Sequence, residues 1–104
     1  MEIQGKESTN SDIDITEKYV FRLFISKKSP DSLYVVKNIQ KFCNQYLHEN
    51  YELEVVDIYE KPDLVIEEQI ILTPLLIKKY PLPEERISGD LNNSQAILSQ
   101  FHID

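Results

Sequence analysis

A chain of 104 residues with 41% hydrophobic content has room for one domain with a small core. Its net charge of −7 argues against direct nucleic-acid binding, which needs clustered Lys and Arg, and serves first as a source of solubility. No apolar run nears the ~20 residues of a membrane span, the start has no apolar stretch to act as a signal peptide, and the lone Cys43 permits no intrachain disulfide. The expected location is the cytoplasm, with neither nucleic acid nor membrane as a partner.

Residues 1–17 are polar and mixed in charge, without sustained periodicity, and are expected to form a disordered tail ahead of a domain over residues 18–104. Tyr19, Phe21, Leu23 and Ile25 then alternate with Val20, Arg22 and Phe24, which predicts a central strand covered on both faces. Ser29, Pro30 and Asp31 suit the N-cap, the first position and the first turn of a helix. Leu33, Val36, Ile39, Phe42, Cys43, Tyr46 and Leu47 give that helix an apolar stripe, with Cys43 as buried filler.

A second strand is predicted over residues 51–58, and two strands joined by a helix make a parallel βαβ unit. A short helix over residues 62–71 follows, with Leu64, Val65, Ile70 and Ile71 inward and Glu67, Glu68 and Gln69 outward. The pair Thr73 and Pro74 interrupts an apolar run. Proline has no N–H to give a sheet, so Pro74 should precede a buried strand, Leu75–Tyr80. Pro81, Leu82 and Pro83 form a stiff loop, residues 85–88 a short antiparallel edge strand, and Gly89 and Asp90 a turn. Asn92 or Asn93 caps a last helix carrying Ala96, Ile97 and Phe101. The order βαβ-α-ββα is that of a thioredoxin-like α/β fold, a four-stranded mixed sheet with helices on both faces. In such folds a Thr-Pro entering the third strand is usually cis.

Redox chemistry of that fold needs two cysteines at the start of the first helix, where Ser26, Lys27, Lys28 and Ser29 stand instead. His48 and His102 have no neighbouring ligands at metal-binding spacing. His48, near a helix C-terminus, reads as a surface residue compensating the dipole. Only Gly5 and Gly89 occur, so there is no phosphate-cradling loop. A binding module without cofactor or catalysis remains.

Between Lys18 and Phe101 the chain resembles the KaiB family of circadian clock proteins. The resemblance rests on the strand Tyr19–Ile25, the entry Ser29, Pro30, Asp31, Ser32 and Leu33, and Val56, Asp57 and Ile58 followed by Lys61 and Pro62. Glu67 with Glu68, then Leu72, Thr73, Pro74 and Leu75, continue the match. Pro81, Leu82 and Pro83, and Arg86 and Ile87 leading into Gly89, Asp90 and Leu91, complete it. It implies a non-catalytic clock or signalling protein that binds a KaiC-like ATPase and, with it, a KaiA-like protein. It further implies a fold that switches between a tetrameric ground state and a monomeric thioredoxin-like form, the half after about Tyr59 being the part that rearranges. The other reading is a stand-alone sensor domain like the N-terminal domain of the histidine kinase SasA, or a stress-signalling relative without a rhythm.

The implied partner-binding residues are Glu67, Glu68, Gln69, Lys78 and Arg86, and the structural ones Thr73, Pro74, Gly89 and Asp90. Monomer, dimer and tetramer all remain open. Clock members carry basic residues where this chain has Tyr34, Gln69 and Glu85, and a Gly and an Asp where it has Gln100 and His102. Gln in place of a helical Gly favours the last helix by about 1 kcal/mol, which leans toward the thioredoxin-like form.

Overall fold

The computed structural model describes residues 18–103; the expected tail, residues 1–17, lies outside the described residues. Strand β1 (Tyr19–Ile25) leads through helix α1 (Ser32–Leu47) to β2 (Tyr51–Asp57). Helix α2 (Pro62–Glu67), β3 (Leu75–Tyr80), β4 (Glu85–Ser88) and α3 (Ser94–Phe101) follow. The sheet order is β2-β1-β3-β4, with β1 and β2 parallel and the other two pairings antiparallel. The apolar β1 is therefore central, and the short β4 forms one edge.

Alternation along β1 divides the core in two. Phe21, Leu23 and Ile25 pack with Leu76 and with α1 and α3 through Val35, Ile39, Phe42, Ile97 and Phe101. Phe24 points to the other face and packs with Val56, Leu75 and Ile77, under Leu64 of α2 and Ile70. Helices thus lie on both faces of the thioredoxin-like sheet, but α2 has only six residues and none of them is buried. Beyond it, that face is paved with charged side chains.

Helix α1 starts later than the sequence suggests. Ser29 and Ser32 close turns, from Ser29 N to Ser26 O and from Ser32 N to Ser29 O, and the Ser29 hydroxyl donates to Asp31 Oδ1 at 2.7 Å. Asp31 is the N-cap residue and makes no side-chain cap bond. The buried stripe accordingly runs through Val35, Ile39, Phe42, Cys43 and Leu47, while Leu33 is exposed and Val36 half-buried. Strand β2 ends at Asp57, one residue early, because the buried Asp57 carboxylate turns to accept Lys27 N at 3.0 Å.

Helix α2 stops at Glu67 rather than near residue 71. Gln69 adopts φ 56°, Gln69 N donates to Ile66 O, and Ile70 N donates to Val65 O at 2.9 Å. That is a Schellman ending with Gln where Gly is usual. It sends Ile70 inward and leaves Ile71, expected to be buried, 89% exposed. Helix α3 begins with Asn93, whose Oδ1 accepts Ala96 N at 3.1 Å. It ends in the same way as α2, with His102 at φ 56°. The Thr73–Pro74, Tyr80–Pro81 and Leu82–Pro83 bonds are cis. Among the described residues no helix is long and apolar enough to cross a membrane.

Candidate partner-binding site

Strand pairing sets Glu54, Arg22, Ile77 and Arg86 side by side across the sheet, on the face that carries α2. Lys79 lies one pleat further along β3. Above this row sits Glu68, the residue that ends α2. Its Oε2 accepts Arg22 Nη1 at 2.8 Å and Lys79 Nζ at 2.8 Å, and its backbone oxygen accepts Arg86 Nη2 at 2.6 Å. Arg86 also lies 3.6 Å from Glu68 Oε1, and Arg22 Nε donates to Glu54 Oε1 at 2.9 Å. One carboxylate thereby ties α2 to β1, β3 and β4.

The Glu68 side chain is only 11% exposed, so the expectation that it faces solvent is corrected. Its position at the turn out of α2 rotates it under the helix. The hydrogen bond from Lys79 is the main cause that holds the Glu68 carboxyl below its usual range; burial opposes this, and the charges of Lys79, Arg22 and Arg86 reinforce it. Burial alone would lower the Lys79 pKa, but its bonds to Glu68 and Glu84 outweigh burial and leave it raised.

Lys78 is on the opposite face, opposite Phe21, with its side chain 4% exposed. Its Nζ donates to Pro81 O at 2.8 Å and lies 3.5 Å from Glu85 Oε1. That ammonium braces the β3–β4 hairpin from within, which corrects the expectation that Lys78 lies on an exposed face. Of the implied contact residues, Glu67 and Gln69 are exposed and Arg86 is half-exposed.

Beside them, Gln69, Ile71, Leu72, Leu75, Arg86 and Ser88 line an open groove of about 150 Å3. The Leu72 flank is 63% exposed. Thr73 and Pro74 close a smaller cavity, about 20 Å3, against Ile25, Ser29, Ser32 and Val35 at the start of α1. Gly89 supplies φ 92° for the turn, and Asp90 Oδ1 accepts Asn92 N at 3.0 Å. Cys43 is fully buried, and burial pushes its thiol up to about 12. Among the described residues no group of three or more His, Cys, Asp or Glu could hold a metal ion.

The family model described as the KaiB domain matches residues 22–103. The chain belongs to the KaiB family. It is 38% identical over 86 residues to "Circadian clock protein KaiB3" of Synechocystis sp., covering 83% of this chain and 84% of that one. To "Circadian clock oscillator protein KaiB" of Thermosynechococcus vestitus it is 32% identical over 84 residues, covering 81% and 78%. In fold it resembles the N-terminal domain of Synechococcus elongatus SasA, with TM-score 0.67 at 21% identity, over 82% of this chain and 80% of that one. It also resembles yeast mitochondrial thioredoxin 3, with TM-score 0.63 at 15% identity, over 83% and 80%.

Within this KaiB-family fold, sequence reasoning missed Arg22 and Lys79. The signal was present: a charged residue on a strand face otherwise made of Val20 and Phe24 needs a partner wherever that face is covered. What the sequence could not supply was the partner, which lies 46 residues away from Arg22.

Proposed function

We propose that this chain is a non-catalytic clock-type signalling protein that binds a KaiC-like ATPase in its thioredoxin-like form. The observation that carries this reading is the family match over residues 22–103 together with relatives named as clock proteins. The docking face consists of α2 and the segment after it, with Glu67, Gln69 and Arg86 at its surface and Glu68 beneath them. The −7 charge and the exposed Asp63 and Glu67 suit a partner surface with basic groups. Biolayer titration against the KaiC-like ATPase of the same source, in each nucleotide state, tests the reading. Saturable binding in at least one state is expected; no binding in any state refutes it.

The likeness to the SasA N-terminal domain favours a second reading, a sensor domain that shares the fold but acts with a histidine kinase. Competition distinguishes the two. A KaiB-type protein should displace a SasA-type domain from the ATPase, whereas a kinase-directed sensor should bind the kinase in its absence.

A further inference from the structure

We infer that Glu68 is a positioning residue: its clamp on three strands presents Ile71 and Leu72 as the apolar centre of the docking contact, into which the ATPase places an apolar side chain ringed by basic groups. This rests on the docking reading above. Ile71 and Leu72 are 89% and 63% exposed, and Leu75 forms the buried floor between them and β4. Arg86 contributes the groove wall, but its guanidinium is turned to the Glu68 backbone oxygen and lies 3.6 Å from Glu68 Oε1, so the exposed apolar surface of the groove is that of Ile71 and Leu72 and suits an apolar occupant. On α2, the helix that leads into this segment, Asp63 and Glu67 are exposed and acidic. A second copy would set these acids against its own, so the occupant is a different protein with a basic rim.

Packing holds the segment only through the half-buried Leu64 and Ile70, since no residue of α2 is fully buried. The rest comes from the Schellman ending and from the donors that converge on Glu68 from β1, β3 and β4. A loop fixed in advance loses less freedom on docking. Glu68 therefore governs affinity without touching the partner.

The experiment combines hydrogen exchange on the free protein with binding to the ATPase. Glu68→Gln should speed exchange at the Gln69 and Ile70 amides, which are hydrogen bonded to Ile66 O and Val65 O, and leave β1 and β2 unchanged. It should weaken binding about 10-fold, as expected when the competent state falls to about a tenth of the population. Ile71→Ser with Leu72→Ser should weaken binding about 100-fold, as loss of a buried apolar anchor does. In that background Glu68→Gln should add less than about 2-fold, because groups acting through one another are not additive. Glu67→Gln, on the exposed side, should leave the exchange pattern unchanged.

Unchanged exchange at Gln69 and Ile70 would overturn the clamp. A full additional 10-fold loss in the Ile71→Ser, Leu72→Ser background would show that Glu68 does not act through those residues. If the wild type does not bind, the docking reading fails and the presentation role falls with it, while the exchange result still reports the clamp. Should Glu68→Gln not fold, Glu68→Asp, which keeps the charge but shortens the reach, is read in the same way.

Discussion

Lys78→Met isolates the cost of the buried ammonium. Methionine keeps most of the aliphatic stem that lies opposite Phe21, so packing changes little. Two interactions are lost: the donation to Pro81 O at 2.8 Å and the ion pair with Glu85 Oε1 at 3.5 Å. A hydrogen bond from a charged donor contributes about 1.5–3 kcal/mol. Glu85 Oε1 is buried and accepts no hydrogen bond, so without Lys78 it becomes an uncompensated charge. Breaking a buried pair from one side costs about 3–5 kcal/mol. Glu85 is 20% exposed and its Oε2 lies 3.5 Å from His102, which gives it partial relief toward solvent. The expected loss is therefore near the low end, about 3 kcal/mol, or a fall in Tm of about 12–24 °C for a domain of this size. Urea unfolding followed by circular dichroism measures it. Glu85→Gln added to Lys78→Met should recover about 1 kcal/mol or more, since it removes the stranded charge. A loss below about 1 kcal/mol for Lys78→Met alone would refute the bracing role of the ammonium.

Acid should loosen the Glu68 cluster. Its carboxyl pKa is depressed in the folded state, so its contribution is complete above the ordinary carboxylate value and is lost as pH falls through the depressed one. Stability of Glu68→Gln measured down the acid range should therefore converge on that of the wild type. Lys79 has the opposite sign: its raised pKa gives a contribution complete below the ordinary lysine value and lost only in strong alkali. Gln69→Gly should stabilise the protein by up to about 1 kcal/mol in thermal melts, because Gln69 holds φ 56° at the Schellman position. The protein should not reduce insulin disulfides above the rate of a Cys43→Ala control, since the only thiol is buried with its pKa pushed up to about 12.

Strand positions were legible because they depend on short-range alternation and on proline. Strands β1, β3 and β4 begin and end where Tyr19 to Ile25, Pro74, Pro81 and Gly89 place them. Helix ends were less legible. Ser29 has the side chain of an N-cap, but its hydroxyl is taken by Asp31, and no local pattern reveals that. The end of α2 depends on Gln69 entering a left-handed conformation that favours glycine, so the sequence reads as though the helix continues. That single turn decides the site, placing Glu68 beneath α2 and Ile71 outside. Lys78 misled for a different reason. Its place on a contact surface comes from the family resemblance alone, and its acceptors, Pro81 O and Glu85, become visible only once the β3–β4 hairpin is closed.

The sheet order has a consequence for how the molecule comes apart. Tyr19 to Ile25 pair with Tyr51 to Asp57 along one edge of β1, and the later half of the chain joins only at its other edge, over five positions from Val20 to Phe24. No ladder bond is shared between the two seams. This topology leads to the expectation that residues after β2 separate from the βαβ unit as one leaf while the β1–β2 seam is still closed. Opening the leaf uncovers Leu23 and Phe24 and withdraws Leu76, Ile97 and Phe101 from the α1 face, so it is costly, yet it breaks one seam instead of two. Native-state exchange should then resolve two cooperative steps, with the amides of β3 and β4 released together before those joining β1 to β2.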